Sequence, residues 1–206
     1  MLPRLKAAAL AAIALALPLS ASGQAWPERP VKMIVAWPAG GGTDSVARIV
    51  AKHLSERLGQ PGGGENRGGA SGVVGTEFVA RAAPDGYTIQ YTVADSHSIN
   101  PHVFPNIKFD ALGDFTPVSM VGSMPNALIV NPKVPAKSVD EFIRLAKENP
   151  GRFTYGSWGI GSGGHIRMEA FNRFANIQTV HVPFQGSGPA LLAVIAGHVD
   201  AMMAPY

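Results

Sequence analysis

Three times in this chain an apolar run ends in a cluster of small residues that opens onto a helical pattern. This repeat limits the fold more than any other feature. The turns lie at residues 38–44 (PAGGGTD), 159–165 (GIGSGGH) and 184–189 (FQGSGP). Residues 31–37 before the first turn read as a buried strand. Residues 45–58 after it place Val46, Ile49, Val50, Leu54 and Leu58 at helical spacing, with Gly59 as the stop. The pattern predicts helices over 72–82, 139–149, 165–175 and 190–196, the second opened by the capping box at Ser138 and Glu141. Strands are predicted at 87–93, 126–130, 153–156 and 178–183, with Val199, Ala201 and Met203 alternating in a last one, and 115–121 is expected to be extended. Short strands separated by helices imply parallel βαβ units with right-handed crossovers.

Such turns carry a chemical implication. The first amides of a helix have no intrahelical acceptor and lie at the positive end of its dipole, so a carboxylate or phosphate is held there without Lys or Arg. Glycines also serve simply to pack a helix closely on a strand, and for any single turn the two readings compete. Nucleotide chemistry fits poorly. Gly159, Gly161 and Gly164 match a dinucleotide-binding fingerprint, but the next strand ends Val182-Pro183-Phe184, without an acid for a ribose hydroxyl. The chain contains no Gly-Lys pair, so there is no Walker A loop. Neither Ser157 nor Ser162 is flanked by the glycines of a nucleophile elbow. No histidine belongs to a metal-binding pattern. His97 and His165 lie in loops at the expected mouth, where a neutral imidazole can donate to a carboxylate, whereas His181 within a strand reads as a core residue. Asp44 sits where helix caps sit.

Residues 1–25 read as a secretory signal: Arg4 and Lys6, an apolar run over 7–19, then Gly23-Gln24-Ala25 with cleavage expected after Ala25. Without them 15 basic residues face 14 acidic ones, and no Lys/Arg cluster supports nucleic-acid binding. Cysteine is absent, which excludes disulfides, thiolate metal sites and a lipid-anchoring cysteine. An exported, disulfide-free chain points to a bacterial periplasm.

The ordered series Trp26-Pro27-Glu28-Arg29-Pro30, PAGGGTD, Glu65-Asn66-Arg67, Ala83-Pro84-Asp85-Gly86-Tyr87, Ser96-His97-Ser98-Ile99-Asn100-Pro101, Thr154-Tyr155-Gly156-Ser157, Gly161-Ser162-Gly163-Gly164-His165 and residues 181–190 (HVPFQGSGPA) resembles the substrate-binding proteins of tripartite tricarboxylate transporters, the Bug-type receptors. The resemblance runs from about residue 26 to the end. It implies an α/β, type II periplasmic binding protein (Venus flytrap) with two domains around a central cleft, here residues 26–125 and 126–206, the second expected to be C-terminally truncated. It implies a monomer that binds a small carboxylate, delivers it to membrane subunits of a transporter, uses no cofactor or metal, and closes about a hinge near 126–131. The family's binding positions fall on Pro38, Ala39, Gly40, Gly41, Gly42, Thr43 and Asp44, on Ser96 and His97, on Gly161, Ser162, Gly163, Gly164 and His165, on Gly186, Ser187 and Ala190, and near Asp200. One departure stands out: Gly62-Gly63-Gly64 replaces the family's apolar strand before Glu-Asn-Arg, so that strand is expected to be weakened or lost. An enzyme of the hydrolase or dehydrogenase kind and a sensor acting through a signalling partner are the rival readings.

Overall fold

The computed structural model describes residues 26–206, so the expected signal segment lies outside the described residues. Two sheets organise the chain. The first is three-stranded and parallel, in the order β2-β1-β3, with β1 at Lys32–Val35, β2 at Gly63–Asn66 and β3 at Thr88–Tyr91. Helix α1 (Gly42–Leu58) follows β1 and helix α2 (Val73–Ala80) precedes β3. A π turn at Asp95–Ile99 runs into the short α3 (Asn100–Val103). The second sheet has the order β4-β7-β5-β6, from β4 (Asn126–Val130), β5 (Thr154–Ser157), β6 (Val180–Pro183) and β7 (Ala201–Pro205). Here β5 pairs in parallel with β6 and β7, while β4 runs antiparallel to β7. The crossovers are α4 (Val139–Glu148), α5 (Gly163–Ala175) and α6 (Ser187–Ala196).

Side-chain alternation distributes the core. On β7, Ala201 joins Phe142, Phe153, Tyr155 and Met168 beneath α4 and α5, while Met202 joins Ala190, Ala193, Val194 and Val199 beneath α6. In the first unit Met33 and Val35 of β1 pack on Ala47 and Ala51 of α1. Burying a side chain of this size contributes about 1.5–3 kcal/mol, so these faces hold each helix start in place. The helix starts themselves follow local rules. Ser138 Oγ accepts from Glu141 N at 3.2 Å, and Glu141 reaches back to Lys137 N at 2.6 Å.

Two expectations are revised. The strand at Gly63–Asn66 forms despite its glycines, because the ladder to β1 is made by backbone groups; the Lys32–Glu65 ion pair at 2.9 Å lies across the same register. Residues 115–121 form no strand, and Val118 and Met120 are 89% and 83% exposed. The strand predicted at 126–130 forms and pairs with β7 at all five positions. An irregular stretch ahead of it joins the two sheets.

Candidate ligand-binding site

The first glycine turn is shaped from within. Gly40 takes φ +83°, a left-handed conformation, and Gly41 precedes α1 without any side-chain cap. Asp44 is 4% exposed and folds back on the turn: Oδ2 accepts from Gly40 N at 3.0 Å and from Arg48 Nε at 3.0 Å, and Oδ1 accepts from Asn66 Nδ2 at 2.8 Å. Burial works to raise its pKa, but the bonds from Arg48, Gly40 and Asn66 outweigh it and hold the carboxyl below its ordinary value. Asp44 is thus neither the residue preceding the helix nor free for a ligand; it sets the loop. The first intrahelical bond is Ser45 N to Gly41 O at 3.0 Å, so the amides of Gly42, Thr43 and Asp44 lie ahead of the ladder.

The turn opposite it is the third one. A Cβ built on Gly41 would lie 2.9 Å from Ser187 Oγ, one on Gly188 3.3 Å from Gly40 O, and one on Gly186 (φ +121°) 3.5 Å from Pro38 Cγ. The starts of α1 and α6 therefore face each other across the gap between the sheets. The first bond of α6 is Ala190 N to Gly186 O at 3.4 Å, which leaves the Ser187 and Gly188 amides ahead of it. Ala190 itself is fully buried against the sheet, below Gly156.

The second turn meets another part of the first unit. At the start of α5, Ser162 caps His165 N at 3.4 Å, and Gly163 N donates to Asp95 Oδ2 at 2.7 Å. Trp158 Nε1 donates to the same oxygen at 3.2 Å. Ser71 Oγ, from a residue in the left-handed region (φ +53°), donates to Ile160 O at 2.6 Å. Gly161 N donates to His165 Nδ1 at 3.1 Å, and the His165 ring stacks on His181 at 4.1 Å. His165 is therefore turned into its own loop.

Other predicted positions are placed elsewhere. Ser96 is buried and shares a hydrogen bond with Thr92 Oγ1 at 2.7 Å. His97 packs edge-on against Phe115 at 4.7 Å, and burial lowers its pKa. Asp200 accepts from Thr154 N at 2.7 Å and Thr154 Oγ1 at 2.9 Å, at the strand end remote from the glycine turns. Asp95, Ser71 and Trp158 escaped sequence reasoning. The single available signal was an acid in the polar loop at 94–100. Trp37 Nε1 is also notable: it has no partner among the described residues, although Trp37 is 5% exposed and its ring edge lies beside Gly72 and Ser96. Ser157 Oγ lies 2.6 Å from His181 Nε2, half of a nucleophile–base arrangement. Ser157 is fully buried, however, and among the described residues no carboxylate orients the other nitrogen of His181.

Two α/β sheets whose glycine-rich helix starts converge across a shared gap define the class of type II periplasmic solute-binding proteins, in which a cleft rather than a reactive group receives the ligand. Residues 46–206 match the model of the tripartite tricarboxylate transporter family receptor, and the chain belongs to that family. It is 38% identical over 193 residues to protein BugT of Bordetella pertussis, covering 93% of this chain and 59% of that one. A Rhodopseudomonas palustris protein solved with adipate superposes with a TM-score of 0.85 at 35% identity, over 87% of this chain and 60% of that one. MatC of the same species, solved with bound malate, superposes with a TM-score of 0.80 at 34% identity, over 87% and 61%. The chain thus spans 59% of the length of BugT. Among the described residues no helix is long and apolar enough to cross a membrane.

Proposed function

We propose that this chain is a periplasmic receptor that captures a small carboxylate and presents it to the membrane subunits of a tripartite tricarboxylate-type transporter, without transforming it. The observation that carries the reading is the pair of facing helix starts, α1 and α6, each with amides ahead of its hydrogen-bond ladder. Each dipole contributes about 0.3–1 kcal/mol to holding an anion, and each charge-assisted amide bond about 1.5–3 kcal/mol, enough together for micromolar capture. The relatives solved with adipate and malate support a carboxylate as the ligand class. Capture would draw residues 26–125 and 126–206 together as two domains.

The test is thermal melting with a panel of small carboxylates, malate and adipate included, followed by recovery of the ligand and mass spectrometry. At a hundred times Kd, binding stabilises by about 2.7 kcal/mol, and the melting temperature is expected to rise by roughly 5–10 °C. The recovered compound is expected unchanged. A panel without any shift, or a ligand recovered as product, would refute the reading.

A further inference from the structure

The two sides of the gap between the sheets are built differently. On the α1/α6 side the approach is by contact: Gly41 to Ser187, Gly188 to Gly40 and Gly186 to Pro38 meet without a hydrogen bond among the described residues, and the first amides of both helices stay uncommitted. On the α5 side the units are hydrogen-bonded to each other. Ser71 Oγ donates to Ile160 O, and Asp95 Oδ2 accepts from both Gly163 N and Trp158 Nε1. Asp95 is 3% exposed, and its other oxygen takes no protein donor among the described residues. Its carboxylate occupies the place where the start of α5 would otherwise hold a ligand anion.

We propose that Asp95 is a resident anion that fills the α5 half of the cleft, confining the ligand's carboxylate to the α1/α6 half and selecting a monocarboxylate over the dicarboxylate of the same length. The inference rests on the carboxylate-receptor reading and narrows it. A dicarboxylate spanning the cleft would bring its second charge against the buried Asp95, whose charge is only partly offset by the exposed Arg167 guanidinium that approaches its Oδ1 beside Gly163 without forming an ion pair. It would also have to displace Asp95 from two donors to gain them itself. A ligand whose far end is neutral or a hydrogen-bond donor meets neither obstacle, and the free Oδ1 of Asp95 can accept from it. With Asp95 absent, the α5 start becomes an anion site: its dipole and the Gly163 and Trp158 donors remain, and the Arg167 guanidinium lies beside Gly163.

Calorimetric titration of the protein, D95N and D95G with three matched pairs tests this: butanoate with succinate, pentanoate with glutarate, hexanoate with adipate. The ratio of the two affinities within a pair is the readout, because it cancels any general loss of folded protein. The unsubstituted protein is expected to favour the monocarboxylate. D95G should move the ratio toward the dicarboxylate about tenfold or more, the worth of one charge-assisted hydrogen bond, and D95N should move it in the same direction by less. A ratio unchanged in both variants overturns the role of Asp95 while leaving the receptor reading intact. Failure of the unsubstituted protein to bind any of the six overturns the role of Asp95, and the receptor reading falls with it when the wider carboxylate panel also gives no melting shift.

Discussion

Replacing Gly75 with alanine tests how the first turn is supported. Gly75 lies on the face of α2 pressed against the end of β1. A Cβ built there would lie 2.6 Å from Arg67 O, 2.7 Å from Ala36 Cα and 3.0 Å from Ala36 Cβ. Two of these are backbone atoms, so no side chain can rotate away. Non-bonded carbon contacts sit at about 3.5–4.0 Å, so α2 must retreat by roughly 1 Å. A gap of that size along the interface forfeits about a quarter to a half of each contact's attraction, and overpacking of this kind costs about 1–3 kcal/mol. Alanine gains up to about 1 kcal/mol in helix propensity over glycine. The net expectation is a destabilisation of about 1–2 kcal/mol, or a melting temperature lower by roughly 2–8 °C. Circular dichroism melts provide the assay. Gly63→Ala is the control, since nothing lies within 4 Å of a Cβ there. Because Ala36 leads directly into Trp37 and the PAGGGTD turn, carboxylate affinity should fall in G75A as well. A G75A protein that melts at or above the unsubstituted one would refute the close approach of α2 to β1.

Asn131 closes the far end of α6, with Nδ2 donating to Val194 O at 2.6 Å and Oδ1 accepting from Lys133 N at 2.8 Å. Asn131→Ala should therefore cost about 2–3 kcal/mol in urea unfolding, and an unchanged midpoint would contradict this capping. In Asp44→Asn one amide proton pair would face the Gly40 amide or Asn66 Nδ2, so carboxylate affinity should fall severalfold while the melting temperature changes by a few degrees; calorimetry and melting read the two separately. Burial first, and the neighbouring His165 second, push the pKa of His181 down to about 4 against a smaller opposing pull from Glu169. A folded-state pKa below the unfolded value near 6.5 means the unfolded chain binds the extra proton, so this stability is present above pH 6.5 and is lost as pH falls toward 4. Melts across that window should decline less steeply for His181→Gln, and equal slopes would show that His181 does not carry the effect.

What the sequence disclosed follows from how local each interaction is. The α1 helix, its glycine stop and the capping box at Ser138 depend on residues within a turn of one another, and their pattern is visible in one dimension. The strand at Gly63–Asn66 is hidden in the sequence because glycine is intrinsically weak in strands. An edge strand paired to β1 by backbone bonds needs no side chain to form the ladder. Residues 115–121 differ in the other direction: an apolar, β-prone run becomes a strand only where a partner ladder forms, and this one pairs with neither sheet and leaves Val118 and Met120 exposed.

The site shows the same division more sharply. Glycine content marked all three turns, because only small residues permit Gly40, Gly161 and Gly186 their positive φ values and the close approach of opposing backbones. It could not say which turns meet. The first faces the third, and the second is met by Asp95. The difference is decided by one side chain on a loop of the opposite unit. An aspartate among serines, histidine and asparagine reads in sequence as a solvated acid. It becomes a cleft residue only because β3 ends where the start of α5 comes down on it. In the proposed receptor the donors are backbone amides, which by themselves do not distinguish one anion from another, and a single resident charge would supply that choice. On that proposal amides at a helix start accept any carboxylate, so discrimination falls to whichever side chain already occupies one of them.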